Sequence, residues 1–81
     1  MKILFFAALR ETLQCEQIEL PVTLPATVAD VRAALCQHYP EHQQHLSVGS
    51  ALAAVNQTLA DESGAINDGD EVAFFPPVTG G

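Results

Sequence analysis

Positive charge is scarce in this chain. Only three of its 81 residues are Lys or Arg, against ten Asp and Glu, so the formal net charge is −7. Three cations release too few phosphate counterions to hold DNA or RNA, and we therefore expect no nucleic-acid partner. Acidity of this kind favours solubility and electrostatic steering toward basic protein surfaces.

Long apolar runs are also missing. None approaches the roughly 20 residues of a membrane-spanning helix, so we expect no membrane association. The first segment, MKILFFAALRET, has an apolar run of about nine residues, near the low end for a signal peptide. Arg10 and Glu11 follow it at once, and removing it would take away much of the apolar content. We therefore predict a first strand in a cytoplasmic protein.

Cysteine is too rare for a disulfide framework, because Cys15 and Cys36 stand alone and form no C-x-x-C pair. We interpret Cys36 as a small buried helix residue, with a reactive thiol as the alternative. Three histidines are spaced H-x3-H-x2-H, at His38, His42 and His45. Pro40 breaks the helix that would align the first two. No cysteine or carboxylate is placed to complete a zinc site, so we predict no bound metal.

Hydrophobic residues make up 48% of the chain, which is enough for one small core. The run KILFFAAL (2–9) is typical of a central strand buried on both faces. EQIELPV (16–22) alternates like a half-exposed strand, and Pro21 places it near a sheet edge. The short distance between the two runs predicts a hairpin.

One helix is predicted over 28–39. Thr27 and Asp30 resemble a capping box at its start, and Pro40 stops it. Its apolar stripe consists of Val28, Val31, Leu35 and Tyr39. Arg32 and Gln37 lie off that stripe.

The rest of the chain adds three short strands. Residues 41–50 are polar and are predicted to be irregular, with room for a short turn of helix. The predicted strands are 50–56, 58–60 and 71–75, separated by turns at Asn56-Gln57 and Asn67-Asp68-Gly69. The order β-β-α-β-β-β predicts an α+β fold of the ubiquitin-like β-grasp type, a mixed sheet of four to five strands on one main helix. We predict a domain at 1–77 and a flexible Gly-Gly tail at 78–81.

Alternation along the first and last strands predicts an exposed apolar surface. Neighbouring side chains point to opposite faces of a sheet, and one helix covers only one face. Phe6 and Phe75 should therefore meet on the uncovered face, with Leu59 as a candidate neighbour. Such surface usually marks a partner site. The alternative is that the 41–50 segment folds over it.

The carboxyl terminus carries the functional prediction. Pro76 and Pro77 end the sheet and direct the chain outward, and 78–81 adds a reach of roughly 13 Å. Glycine lacks a β-carbon, so this tail suits a narrow channel. Its terminal carboxylate, with a pKa of about 3.5, is ionised and a poor electrophile. Adenylation would open it to a sulfur or amine nucleophile, so we predict that the Gly81 carboxyl is the working group.

Three segments carry a family resemblance, namely LFFAALRE (4–11), LAAVNQTL (52–59) and DGDEVAFFPPVTGG (68–81). They resemble the small, sulfur-carrying subunits of bacterial molybdopterin synthases. The resemblance implies an E1-like enzyme that adenylates the terminal glycine with ATP. It also implies a cysteine desulfurase or rhodanese-like sulfur donor that forms a thiocarboxylate. The tail would then enter the large subunit and pass sulfur to precursor Z (cyclic pyranopterin monophosphate), forming the dithiolene.

The resemblance assigns roles to a few positions. Gly81 matches the thiocarboxylated glycine, while Gly80 and Thr79 match the threading residues. The docking residues matched are Phe6, Leu59 and Phe75. It further implies a carrier with no catalytic residues or bound cofactor of its own, in an assembly of two small and two large subunits. The match is poorer over 12–50, so the cysteines and histidines receive no role.

Three other functions stay open. The same tail could carry sulfur for thiamin, tungsten-cofactor or tRNA chemistry, although Phe-Phe-Pro-Pro resembles the molybdopterin branch. It could instead join the protein to lysines, as ubiquitin does. Finally, the domain could be a binding module with an inert tail.

Overall fold

The computed structural model describes residues 1–77, so the predicted tail at 78–81 lies outside the described part. The strands are β1 (Lys2–Phe5), β2 (Gln17–Glu19), β3 (Ala26–Thr27), β4 (Leu52–Val55), β5 (Thr58–Ala60), β6 (Ala65–Ile66) and β7 (Val72–Phe75). The helices are α1 (Ala7–Leu13), α2 (Val28–His38) and α3 (Gln43–Leu46), with a 3₁₀ turn at Pro40–His42. No helix in 1–77 has the length and apolar character needed to cross a membrane.

The main sheet has the order β2-β1-β7-β4-β5, and a separate pair joins β3 to β6. Strands β1 and β7 are parallel, while the other pairs are antiparallel. The predicted mixed sheet with adjacent first and last strands is confirmed, as is the edge position of the strand before Pro21. The fold is an α+β arrangement of the β-grasp type.

The first strand is shorter than predicted, because β1 ends at Phe5 and α1 begins at Ala7. A single strand over 2–9 is therefore wrong. β1 and β2 pair antiparallel, as the predicted hairpin requires, but α1 forms the connection between them. Ala7 has φ = 55°, a left-handed backbone that turns the chain out of the strand. Leu9 and Leu13, four residues apart, then share one helix face and are buried in the core.

The predicted main helix is confirmed with its capping box. The Asp30 N–H donates to Thr27 Oγ1 at 3.3 Å, and the Thr27 N–H donates to Asp30 Oδ2 at 2.9 Å. The helix ends at His38, two residues before Pro40. The first three members of its predicted stripe, Val28, Val31 and Leu35, are fully buried.

Residues 40–46 are helical, so the short turn of helix allowed for in this segment is present and longer than expected, and the segment is less irregular than predicted. The 3₁₀ turn and α3 pack against α2. Leu46 is fully buried in the core that α2 shares with the sheet. The segment therefore lies on the helical side and does not cover the opposite face.

Arg32 is buried, although it lies off the apolar stripe. Its Nε and Nη2 donate to the two carboxylate oxygens of Glu62, each at 2.8 Å. Its Nη1 donates to the carbonyl oxygens of Leu46, Ala51 and Ser47 at 2.6, 2.9 and 3.2 Å. These bonds satisfy a charge that would otherwise be costly to bury. They fasten the end of α3 and the segment before β4 to α2.

Candidate functional site

The two faces of the sheet differ as alternation predicts. On the face toward α2, the side chains of Ile3, Phe5, Val72 and Phe74 are almost completely buried. On the other face, Phe6 is 47% exposed, Leu59 is 67% exposed and Phe75 is half-buried. Exposure of this kind on large apolar residues singles out the second face as the candidate site.

Strand register joins these residues into one surface. Leu4 pairs with Ala73, Ala73 with Ala54, and Ala54 with Leu59, so one row crosses four strands. Phe75 pairs with Leu52 in a second row. The Phe6 N–H donates to the Phe74 carbonyl oxygen at 3.1 Å, which places Phe6 beside Phe75. We call this surface the open-face patch, comprising Leu4, Phe6, Leu52, Ala54, Leu59, Ala73 and Phe75.

The predicted docking residues occupy different parts of the patch. Phe6 and Phe75 are neighbours, as expected, whereas Leu59 is separated from Phe75 by β4. Ala73 and Ala54 lie between them, and their short side chains leave the middle of the patch shallow. A partner could thus contact aromatic rings on one side and Leu59 on the other. Their docking role itself stays a prediction.

The chain leaves the sheet at the end of the patch. β7 ends at Phe75, Pro76 is half-buried and Pro77 is exposed. Neither proline has an N–H to donate to a neighbouring strand. Thr79, Gly80 and Gly81 lie outside the described residues, so their threading and attachment roles stay predictions.

Sequence reasoning missed several members of the patch. Leu4 could have been found, because it alternates with Ile3 and Phe5 in the apolar run. Leu52, Ala54 and Ala73 depend on the register between strands, which this sequence does not specify.

Two of the three histidines lie beside Tyr39, and the third lies beside His42. The ring centroids of His38 and His42 lie 4.7 and 6.3 Å from that of Tyr39, and His45 lies 6.0 Å from His42. Among residues 1–77, no three His, Cys, Asp or Glu side chains are grouped as metal ligands. Burial raises the pKa of Tyr39 to about 12, with a further contribution from the Cys15 side chain.

The two cysteines are half-buried free thiols that pack against the core. Cys15 Sγ donates to the Gln17 carbonyl oxygen at 3.1 Å. Cys36 lies on α2, as predicted, but it is half-buried where a buried residue was expected. Neither belongs to the open-face patch.

The chain is similar to known proteins over its whole length. The model of the ThiS family matches residues 3–81. The molybdopterin synthase sulfur carrier subunit of Escherichia coli (strain K12) is 44% identical over 81 residues, covering 100% of this chain and 99% of that protein.

Solved structures show the same fold. SAMP1, a small archaeal modifier protein of Haloferax volcanii, has a TM-score of 0.81 and 30% identity, covering 99% of this chain and 97% of that one. A chain in the complex of subunits 1 and 2 of molybdopterin-converting factor from Helicobacter pylori 26695 has a TM-score of 0.65. At 23% identity, over 99% of this chain and 96% of that one, it shows likeness of fold alone. From the family match and the full-length identity, this chain belongs to the ThiS family.

Proposed function

We propose that this protein is the sulfur carrier subunit of a molybdopterin synthase, a non-catalytic subunit that transports sulfur on Gly81. The observation that carries the proposal is that one strand, β7, bears Phe75 of the open-face patch and continues directly into Pro76 and Pro77. Docking through the patch would therefore position the chain that ends in Gly81. The full-length identity to the Escherichia coli carrier supports the same function.

The chemistry follows from the terminal carboxylate. An ionised carboxylate resists nucleophiles, so an E1-like partner must first convert it to an acyl adenylate with ATP. The persulfide of a sulfur donor of the cysteine desulfurase or rhodanese-like kind then attacks the adenylate and displaces AMP, forming an acyl disulfide. A second thiol, on the donor or a small reductant, cleaves that S–S bond and forms a disulfide with the donor sulfur, which leaves a thiocarboxylate on Gly81. Its sulfur attacks precursor Z in the large subunit, and the Gly81 carboxylate is regenerated after hydrolysis. ATP belongs to the activating enzyme, and this subunit holds no cofactor of its own.

The open-face patch serves the large subunit and the adenylating enzyme in turn. The Helicobacter pylori chain, which shares this fold, was solved in a complex of subunits 1 and 2, and this supports a large-subunit partner. A dithiolene contains two sulfurs, so an assembly of two small and two large subunits suits the reaction. We place these steps in the cytoplasm.

Intact mass after co-expression with the adenylating enzyme and a sulfur donor tests the proposal. We expect a mass increase equal to the replacement of one oxygen by sulfur, located on the C-terminal peptide. The variant lacking Gly81 is the matched control and should show no increase. An unchanged wild-type mass, with the same enzymes active on the Escherichia coli carrier, would refute the proposal.

Genetic complementation distinguishes the pathways. Rescue of thiamin synthesis, without rescue of a strain lacking the molybdopterin synthase small subunit, would assign the carrier to another pathway.

A second candidate is a protein modifier joined to lysines through Gly81. The likeness to Haloferax volcanii SAMP1, at 30% identity, favours it specifically. Activation would be the same, and the nucleophile would be an amine instead of sulfur. Adducts of higher mass in cell extracts, lost on deletion of Gly81, would support this function. Detection of only the free protein would count against it.

A further inference from the structure

A notch adjoins the open-face patch at the end where the chain leaves β7. Its volume is about 330 Å³, and it is lined by Leu4, Phe5, Phe6, Arg10, Glu16 and Gln17. Leu4 and Phe6 belong to both the notch and the patch. A partner that covers the patch would therefore also cover the notch.

Arg10 is the available cation in this part of the molecule. It lies four residues after Phe6, with its Nη1 3.4 Å from Glu16 Oε1. The two side chains are 53% and 74% exposed, and an exposed pair of this kind contributes little to stability. Arg10 can thus exchange Glu16 for another carboxylate at small cost.

The other two fixed cations cannot serve this end of the patch. Arg32 is buried on the α2 side and bonded to Glu62. Lys2 lies at the opposite end of β1, where it pairs in register with Glu19. For a chain with a net charge of −7, the notch is therefore the place where a carboxylate on a partner could be accommodated.

Under the proposed function, such a contact would orient the carrier on its partner. Apolar contact is non-directional, so the patch alone does not fix how the carrier is rotated on its partner. Delivery of Gly81 to a reacting centre requires that rotation to be fixed. A charged contact would fix this rotation if it lay away from the centre of the patch and near the end of β7. The guanidinium can also bind a carboxylate with two parallel hydrogen bonds, which adds directional specificity.

We propose that Arg10 is a specificity-determining residue, which leaves Glu16 on docking and forms an ion pair with a carboxylate side chain of the large subunit. The inference rests on the proposed function, since it names a contact within that docked complex.

Binding of the purified large subunit to matched charge variants tests the inference. Arg10→Gln and Lys2→Gln each remove one positive charge, but only Arg10 lines the notch. We expect Arg10→Gln to weaken binding about tenfold at physiological ionic strength, and Lys2→Gln to change it less than about twofold. Glu16→Gln should not weaken binding, because it releases Arg10. Thermal unfolding of each variant verifies that the fold is retained.

A charge swap provides the readout that a purely structural role would not give. Arg10→Glu should bind poorly, and replacing one carboxylate of the large subunit by Arg should restore its affinity. Equal weakening by Arg10→Gln and Lys2→Gln, tighter binding of Arg10→Gln, or weaker binding of Glu16→Gln would each overturn the inference. The proposed function fails separately if the wild-type protein does not bind the large subunit, whereas unchanged binding of Phe75→Ala would show only that the patch is misassigned.

Discussion

The guanidinium carbon of Arg32 lies 5.3 Å from the ring centroid of Phe74. This contact joins α2 to β7 on the face of the sheet opposite to the open-face patch. A cation above an aromatic ring is attracted by the ring quadrupole, and more strongly when both groups are desolvated. Phe74 directly precedes Phe75, so the bonds that hold Arg32 also support the strand that carries the patch.

Replacement of Arg32 should be among the most destabilising single changes. Arg32→Met leaves Glu62 without its partner and removes the donor to three carbonyl oxygens, so we expect the free energy of unfolding to fall by about 3 kcal/mol. Glu62→Gln keeps an acceptor and should cost about 1 kcal/mol. Urea unfolding measures both variants. Wild-type stability of Arg32→Met would show that these bonds contribute nothing net.

Local features were predictable from the sequence and distant ones were not. The capping box of α2 uses residues three apart, so Thr27 and Asp30 reveal it directly. The burial of Arg32 depends on partners 14 to 30 residues away, which no local pattern shows. The sequence did not predict α1, because the apolar residues at its start continue the apolar run of β1. The turn at Ala7 uses a left-handed backbone that alanine does not favour.

The same distinction applies to the candidate site. Phe6 and Phe75 could be paired from alternation together with the neighbouring first and last strands of a β-grasp. The full extent of the patch needed the register of four strands, and the notch needed α1. The position of Arg10 beside the notch depends on α1, which the sequence pattern does not predict.

The backbone at Ala7 predicts an unusual gain from glycine. Ala7→Gly should raise the free energy of unfolding by about 0.5–1 kcal/mol, because glycine adopts positive φ without steric cost. Ala8→Gly, one residue further into α1, should lower it by about 1 kcal/mol. Chemical denaturation compares the pair. A loss of stability in both variants would contradict the idea that Ala7 is strained.

The open-face patch should contain an aromatic anchor. Phe75→Ala should weaken binding to the large subunit and to the adenylating enzyme by about 2 kcal/mol, or roughly 30-fold. Val48→Ala is the control, because Val48 is 68% exposed but lies outside the sheet. Titration calorimetry measures both. An equal effect of the two substitutions would show that the patch is misassigned.

The terminal residues should control sulfur transfer and not stability. Deleting Gly81, or adding one residue after it, should abolish transfer, since the acyl group is then absent or misplaced. Gly80→Ala should slow transfer by adding a β-carbon inside a narrow channel. The core cluster lies within residues 3–74, so the melting temperature should stay at the wild-type value. Full transfer by the extended variant would refute the role of the free carboxyl.

Tyr39 should titrate unusually late. Burial, aided by the Cys15 side chain, raises its pKa from 10.0 to about 12, so folding favours the neutral phenol. The associated stability is fully present below pH 10 and is lost as the pH rises through about 12. Tyr39 is the only tyrosine and tryptophan is absent, so tyrosinate absorbance reports this group alone. Cys15→Ala should lower the folded-state pKa only in part, because burial is the larger cause. Identical titrations of the native protein and the urea-unfolded chain would show that Tyr39 is solvated in the fold.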